Sequence, residues 1–425
     1  MHWNSWSLSA GAMRLRYLKL LRKRHSVCNR VMMVPEKTAP KISESPLVVV
    51  ALMNAYTEGL SGGDVWFMEV AHRWTDAELV VITSALGRLT CIKHGVNARF
   101  VVTSHEDHFD RLARTYLVRT FRALRLINKL GHIDIVHSTS DAPPDVLPAL
   151  WLHMRRRKIR WVLRCHHVVP AKIGRLLARI VQVVMHLLVR LRADKVLVNS
   201  QFLKELLVAR HLAEECISVS YPGVKTLSVP EGMDGVSAYP VLDHGYDACC
   251  VARLHKSKGV FDLPQIWAAV IEQLPGVRLG MVGHGDELRL SEIKLACEQN
   301  GVLGYVDFLG YVSSDELEHL YRTAKIFVFP SHEEGYGMSI SEALLMGLPV
   351  IAWDLPTYSE HFHDSILRVP EGDIAEFAKA IVQELRGYKL NDKEARRDNW
   401  LVHQRTWDQV ADQEWELFVG SSRRR

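Results

Sequence analysis

Short, continuous apolar runs alternate with longer amphipathic segments from residue 46 onward. Such runs, rich in Val, Ile and Leu and bounded by turn residues, are typical of strands buried on both faces of a parallel sheet. In the first half of the chain the predicted strands are residues 47–52, 79–83, 100–103, 133–137, 160–165, 195–199 and 217–220. Because helical segments lie between most of them, a doubly wound, Rossmann-like α/β domain is predicted over residues 46–225.

The alternation stops at a segment rich in proline and glycine and then restarts. Residues 226–245 are therefore predicted to be a linker, and residues 246–400 a second Rossmann-like domain. Its predicted strands are residues 248–251, 278–282, 306–309, 326–328, 350–353 and 366–369. Its predicted helices are residues 262–273, 287–299, 313–323 and 339–346. The C-terminal segment, 401–425, is predicted to hold an amphipathic helix over residues 407–418 and a basic tail.

Charge is distributed unevenly along the 425 residues. The composition, 48% hydrophobic and 24% charged, excludes wholesale disorder and a fibrous structure. The net charge of +5 comes from the ends, because residues 1–46 contain nine Lys or Arg against two Asp or Glu, and residues 423–425 are all Arg. Without these ends, acidic residues outnumber basic ones by five. A nucleic-acid partner is therefore not expected from the bulk charge.

The cellular compartment is inferred from cysteines and hydropathy. Seven cysteines without a Cys-x-x-Cys pair indicate free thiols in a reducing cytosol. No apolar run approaches the roughly 18 residues of a membrane-spanning helix. Residues 1–45 are interpreted as a flexible basic extension, with contact to an anionic membrane as the alternative. The expected location is the cytoplasm, in solution or peripheral on the cytoplasmic face of a membrane.

The densest group of polar and glycine residues follows the predicted strand that ends near Pro330. Gly335 and Gly337 permit a tight turn, and a helix is predicted to begin near residue 338. The first amides of a helix carry the positive end of its dipole, so a diphosphate is favoured there. Glu334 and Glu342 flank this turn and can contact the two ends of one nucleotide-linked ligand. The alternative is an ordinary capped helix whose acids face solvent.

This segment resembles the signature of the retaining glycosyltransferases of family 4, which have the GT-B fold. The match comprises Glu334-Gly-Tyr-Gly337, Glu342-Ala343 and Gly347-Leu-Pro-Val350, with Ala252-Arg-Leu254, Lys258-Gly259, Gly283-His-Gly285, Gly62-Gly63 and Cys165-His166 in the family's order. It covers about residues 47–420. The resemblance implies two Rossmann-like domains facing each other across a cleft, and a C-terminal helix that crosses back to the first domain.

The resemblance also implies a role for each matched position. Glu342 would bind the ribose hydroxyls of the donor nucleotide, and Glu334 would contact the sugar near its reacting carbon. Arg253 and Lys258 would bind the diphosphate and stabilise the leaving group. His166 would lie near the donor sugar and the acceptor. The remaining donor-binding residues would be Gly62, Gly63, Gly337, Met338, Ser339, Gly283, Tyr311 and Val312.

The implied reaction is transfer of a hexose from a nucleoside-diphosphate sugar to an acceptor hydroxyl, with retention at the anomeric carbon. No cofactor or metal is expected, since His105 and His108 bracket two acids without a second ligand pair. A nucleotide-sugar 2-epimerase and a catalytically silent nucleotide-sugar-binding scaffold remain as alternatives. Residues 354–360 depart from the family's Gly-Gly-x-x-Glu loop, which leaves the donor sugar open.

Basic residues recur along helix-like segments of the first domain. They include Arg111, Arg114, Arg122, Arg125 and Lys129, a cluster at residues 154–160, and arginines within the apolar segment 173–191. Such surfaces bind anionic headgroups, so a glycan or lipid-linked acceptor at an anionic membrane surface is one hypothesis. Solvated helix faces and an interior helix are the alternative.

Overall fold

The structure is a computed structural model, and it describes residues 46–56, 61–105, 112–169, 176–224 and 245–420. The N-terminal extension, nearly all of the linker at 226–245 and the basic tail lie outside the described residues. So do the acids between His105 and His108, and the first part of the segment 173–191.

The first sheet consists of parallel strands. They are β1 (Leu47–Met53), β2 (Ala77–Thr83), β3 (Arg99–Val102), β4 (Ile135–Ser138), β5 (Arg160–Cys165), β6 (Lys195–Val198) and β7 (Ile217–Val219). Their order in the sheet is β3-β2-β1-β4-β5-β6-β7. Each lies within two residues of a predicted strand, and the central strands are almost completely buried, as their continuous apolar runs indicate.

Helices cover both faces of this sheet. They are α1 (Gly62–Ala71), α2 (Ala85–Lys93), α3 (Leu112–Ile127), α4 (Pro143–Arg155), α5 (Leu176–Arg192) and α6 (Gln201–Ala209). On one face, α4 packs between α3 and α5, and all three contribute to one apolar core. The core on the opposite face is formed by α1 and α2. Helix α1 begins after Ser61, where Ser61 and Asp64 form a capping box.

The second sheet repeats the same winding. Its strands are β8 (Ala248–Val251), β9 (Leu279–Val282), β10 (Val306–Gly310), β11 (Ile326–Phe329), β12 (Val350–Trp353) and β13 (Leu367–Val369), in the order β10-β9-β8-β11-β12-β13. Its helices are α7 (Leu263–Gln273), α8 (Glu287–Gln299), α9 (Ser314–Thr323), α10 (Met338–Leu345), α11 (Pro356–His361), α12 (Ile374–Gly387) and α13 (Asp392–Leu401). The predicted pair of doubly wound domains is confirmed.

The last helix, α14 (Trp407–Val419), crosses back to the first domain and packs against α1. Its Trp407 ring lies 5.7 Å from the Trp66 ring, edge to face. Gly223 approaches the same residue so closely that a Cβ would lie 2.6 Å from the backbone nitrogen of Trp407. Helix α14 covers the part of the apolar face of the first sheet that α1 and α2 leave uncovered. The family resemblance predicted this return to the first domain.

Two further predictions concern the whole described chain. The described cysteines are all free, and five of the six are buried, Cys249 and Cys250 among them. Within the described ranges, no helix combines the length and the apolar character that crossing a bilayer requires.

Candidate functional site

In both sheets, the predicted site residues lie on loops that follow the carboxyl ends of the strands. In doubly wound sheets, ligands bind outside the carboxyl ends of the strands, at the point where strand order reverses. That point lies between β1 and β4 in the first sheet and between β8 and β11 in the second. The loops after β8 and β11 carry Arg253, Lys258 and Glu334, while the segments after β1 and β5 carry residues 62–63 and His166.

Lys258 and Glu334 form an ion pair on the side of the second domain. The Lys258 Nζ bonds to the Glu334 Oε1, and the two side chains are only 17% and 10% exposed. The hydroxyl of buried Ser331 donates to the same carboxylate oxygen at 3.0 Å. Because an ammonium group has three donors, Lys258 can bind a phosphate oxygen from this position.

The turn after Glu334 leads directly into helix α10. Gly337 has a φ of +105° at the N-cap, a conformation that glycine adopts at little cost. Because this N-cap residue is a glycine, it has no side chain with which to cap the terminus. The amides at Met338 and Ser339 therefore present an uncapped helix start, beside the Lys258–Glu334 pair, to an anion.

Residues 62–63 bring the two domains into contact. A Cβ on Gly63 would lie 2.6 Å from the His166 Nε2, and one on Gly62 would lie 3.1 Å from the Met338 Cγ. A Cβ on Gly335 would lie 2.3 Å from the carbonyl oxygen of His166. The structure thus brings His166, the glycine pair and the start of α10 together, although they are distant in sequence.

His166 is a neutral imidazole at neutral pH. Burial, followed by the nearby charge of Arg164, lowers its pKa to about 4. Its Nε2 lies 3.0 Å from the carbonyl oxygen of Thr139, which can only accept, so we assign the proton to Nε2. The Nδ1 atom therefore carries a lone pair that can accept a hydrogen bond from a hydroxyl.

Glu342 lies one turn into α10 and is held by a tyrosine. The hydroxyl of Tyr321 donates to the Glu342 Oε2 at 3.0 Å. Burial raises the pKa of Tyr321, and the carboxylate of Glu342 raises it further, so the tyrosine stays protonated. The half-buried carboxylate of Glu342 keeps acceptor capacity for a diol.

Arg253 is exposed at the cleft and acts electrostatically on Asp64 of the first domain. Burial raises the pKa of Asp64, whereas its hydrogen bonds with Ser61 and the charge of Arg253 lower it. Asp64 was not among the predicted site residues. The spacing Ser61-x-x-Asp64 is a capping-box signal that identifies it in the sequence.

The remaining predicted donor residues lie on the same edge of the second sheet. Gly283 follows β9, and a Cβ there would lie 1.8 Å from the carbonyl oxygen of Ala252, so only glycine fits. Its amide donates to the Gly310 carbonyl at 2.9 Å. Tyr311 is 75% exposed, and Val312 is half-buried. Their roles toward a nucleotide stay predictions.

Glu360 joins the two domains, a role that the sequence did not predict. Its Oε1 accepts from the Gln201 amide at 2.5 Å and from the Tyr221 hydroxyl at 2.8 Å. Its Oε2 accepts from the Phe202 amide at 3.2 Å. A side chain on α11 therefore caps the N-terminus of α6 from across the cleft.

His332 holds the loop that precedes Glu334. Its Nε2 lies 2.9 Å from Asp262 and its Nδ1 lies 2.6 Å from Glu371. The hydrogen bond with Asp262, followed by that with Glu371, raises the pKa of His332. The doubly paired imidazolium ties this loop to α7 and to the segment before α12.

Asp141, Cys165 and His186 bring their ligand atoms within 4.8 Å of one another, an atom set that suits zinc. However, the Arg210 Nη1 lies 3.0 Å from the His186 Nδ1 and can only donate, so His186 carries its proton on Nε2. That proton is donated to Asp141 at 2.8 Å, and zinc at Nε2 would have to displace it. We interpret the cluster as a polar network that fixes the end of β5 next to His166.

Two protein-family models match the chain. Residues 60–226 match the family described as "Glycosyltransferase Family 4", and residues 245–386 match "Glycosyl transferases group 1". The phosphatidyl-myo-inositol mannosyltransferase of Mycobacterium leprae is 30% identical over 46% of this chain, an alignment that spans 54% of that enzyme. The D-inositol 3-phosphate glycosyltransferase of Mycolicibacterium smegmatis is 27% identical over 67% of this chain and 68% of its own length.

Solved structures show the same fold. Anabaena HepE in complex with UDP and glucose superimposes with a TM-score of 0.68 at 16% identity, covering 88% of this chain and 99% of that one. This likeness shows the fold, and the two family models establish the family. The chain belongs to the group 1, family 4 glycosyltransferases of the GT-B fold.

Proposed function

We propose that this protein is a retaining hexosyltransferase that uses a nucleoside-diphosphate sugar. The observation that carries the proposal is the convergence of Lys258, Glu334 and the uncapped start of α10 with His166 and residues 62–63 of the opposite domain. A cationic group and helix amides on one side suit a diphosphate, and a neutral imidazole on the other suits a hydroxyl.

In the proposed reaction the bond between the anomeric carbon and the diphosphate oxygen breaks, and the leaving diphosphate gains negative charge. Lys258, Arg253 and the amides at Met338 and Ser339 stabilise that charge. The acceptor oxygen bonds to the same face of the anomeric carbon, and its proton passes to the departing phosphate oxygen. Retention then requires no protein nucleophile, and no metal is assigned a role.

The two glutamates divide the recognition of the donor. Glu342, oriented by Tyr321, binds the ribose hydroxyls, because an ionised carboxylate accepts two hydrogen bonds from a diol. Glu334 binds hydroxyls of the sugar near the reacting carbon. Gly283, Tyr311 and Val312 lie on the edge where the base would bind.

The relatives support the choice of substrate class. The Mycobacterium leprae enzyme is named a mannosyltransferase, and HepE is described with UDP and glucose. On these grounds we propose a hexose donor and a glycan or lipid-linked acceptor. We also propose that the enzyme acts in the cytoplasm at an anionic membrane surface.

Donor binding is the first test. UDP, GDP, ADP and their sugar conjugates are added to the wild-type protein and to Glu342→Ala in a thermal-shift assay. A ligand at about 100 times its Kd stabilises the native state by about 2.7 kcal/mol. We expect a shift with one nucleotide series that Glu342→Ala abolishes. No shift with any nucleotide contradicts the proposal.

A matched pair of lysine variants tests the diphosphate contact. Lys258→Ala is expected to lower kcat/KM by two orders of magnitude or more. Lys256→Ala removes the same charge from an exposed position on the same turn and is expected to retain activity. Product analysis by NMR reports the anomeric configuration, and conversion of donor without acceptor would instead indicate an epimerase.

A further inference from the structure

Helix α5 is apolar on the side that faces solvent as well as on the side that faces the sheet. Met185 and Val189 are buried in the core. The opposite side carries side chains that are 46–75% exposed: Leu176, Leu177, Ile180, Val183, Val184, Leu187 and Leu191. At 100° per residue these seven fall within a stripe of about 120° along the whole helix. A stripe of this size marks a binding surface rather than scattered exposure.

Helix α3 has the same two-sided character. Leu117 and Phe121 are 72% and 55% exposed, whereas Ala123 and Ile127 are buried. Met154, 53% exposed, lies near the end of α4, which packs between α3 and α5. The exposed apolar residues of these three helices therefore lie on one side of the first domain, which we call the outer face.

The charged side chains of α3 and α5 are all basic. Neither α3 nor α5 contains an Asp or a Glu. Their exposed polar positions include Arg122, Arg125, Arg190 and Arg192. The guanidinium of Arg125 lies 4.2 Å from the centre of the Phe121 ring, so basic and apolar groups are interleaved.

We propose that the outer face docks on the surface of a bilayer that contains anionic lipids. This inference deepens the proposed action at an anionic membrane and rests on it. A bilayer supplies anionic headgroups for the arginines and an apolar interior for the exposed leucines. A second copy of the chain is a poorer occupant, because two outer faces would juxtapose arginines with no carboxylate on either helix to neutralise them.

The docking surface is close to the catalytic cleft. Helix α5 follows β5, and the segment after β5 begins with His166. A helix that follows a parallel strand begins at the carboxyl end of the sheet, which is the edge that forms the cleft. The first exposed leucines of α5 therefore lie toward the cleft, where a lipid-linked acceptor hydroxyl would enter.

Vesicle co-sedimentation of the full-length protein tests the proposal. Phosphatidylcholine vesicles with and without 30% phosphatidylglycerol are compared at 50 and 500 mM NaCl. We expect binding to the anionic vesicles at low salt, weakened at least tenfold in Leu177→Glu/Leu187→Glu. The control Leu288→Glu/Leu295→Glu changes two similarly exposed leucines on α8 and should bind like the wild type. Arg190→Gln should bind about fivefold more weakly, as expected for one basic residue near the surface.

Three outcomes overturn the proposal. The wild type does not bind at low salt, Leu177→Glu/Leu187→Glu binds as well as the wild type, or the wild type is a dimer that becomes monomeric in Leu177→Glu/Leu187→Glu. Circular dichroism and the nucleotide thermal shift are measured on the same variants to verify folding. A nucleotide shift without vesicle binding refutes the docking surface and leaves the glycosyltransferase proposal intact. Vesicle binding without any nucleotide shift refutes the glycosyltransferase proposal instead.

Discussion

The contact that attaches α14 to the first domain is a buried ion pair whose removal has a predictable cost. Glu414 of α14 and Arg164 of β5 are each 2% exposed. Three donors converge on the Glu414 Oε1: a guanidinium nitrogen of Arg164, the Trp66 indole at 2.9 Å and the Ser220 hydroxyl at 2.6 Å. The guanidinium also lies 4.2 Å above the Trp66 ring.

Glu414→Ala leaves Arg164 buried without a counter-charge. Breaking a buried pair from one side costs about 3–5 kcal/mol, because the remaining charge loses both solvent and partner. We therefore expect Glu414→Ala to lower the free energy of unfolding of the first domain by that amount. Glu414→Gln retains an acceptor oxygen for the indole and the hydroxyl, and is expected to lose less.

Urea denaturation followed by tryptophan fluorescence measures the effect, since Trp66 lies within the contact. The two domains are fitted as separate transitions. The control is Asp408→Ala, which breaks an ion pair with Arg73 between the same two parts of the fold. Asp408 is 72% exposed, so this variant should lose at most about 1 kcal/mol. Equal losses in Glu414→Ala and Asp408→Ala would refute the reasoning from burial.

Three further predictions concern the cleft. Gly63→Ala places a Cβ 2.6 Å from the His166 Nε2 and should lower transfer activity at least tenfold. Gly131→Ala, whose Cβ would have nothing within 4 Å, is the control and should keep its activity. Glycosyl-transfer assays of the two variants test this prediction. The two carboxylate partners of His332 raise its pKa. The stability that the charged imidazole contributes is therefore fully present below about pH 6.5, the ordinary histidine pKa, and is lost as the pH rises through the raised pKa. The difference in unfolding free energy between wild type and His332→Gln should thus be larger at pH 6 than at pH 8.5, and equal differences would count against the pairing. Glu360→Ala removes the acceptor for the Gln201 and Phe202 amides of α6 but leaves the Ser200 cap in place, and it should cost about 0.5–2 kcal/mol in a urea titration. An unchanged free energy of unfolding would contradict this prediction.

The strands can be predicted from the sequence more reliably than the last helices of the second domain. A strand buried on both faces, such as β1 or β8, is one uninterrupted apolar run, and the observed bounds differ from the predicted ones by at most two residues. Helix α13 buries only Trp400 among its ten residues. It therefore has no apolar period, and nothing in the sequence distinguishes it from a solvated loop.

The residues of the site likewise fall into those that local sequence predicts and those that it does not. The glycines and carboxylates around α10 are local in sequence, so their spacing alone predicts a turn that leads into an anion-binding helix start. The contact of Glu360 with Gln201 joins residues 159 positions apart. Only the packing of one domain against the other creates that contact. For the same reason, Asp64 could be found as a cap but not as a partner of Arg253.

The Lys258–Glu334 pair has a consequence for how the proposed enzyme recognises its donor. Both groups are largely removed from solvent, and each neutralises the other. A diphosphate that binds at the start of α10 competes with Glu334 for the ammonium group. As Lys258 turns toward the phosphate, the Glu334 carboxylate loses its cation and becomes available to the sugar hydroxyls. Phosphate binding by Lys258 and sugar binding by Glu334 would then be coupled through one exchange of hydrogen bonds. A nucleoside diphosphate without a sugar offers no sugar hydroxyls to Glu334, so the site would bind the intact donor more tightly than the nucleoside-diphosphate product.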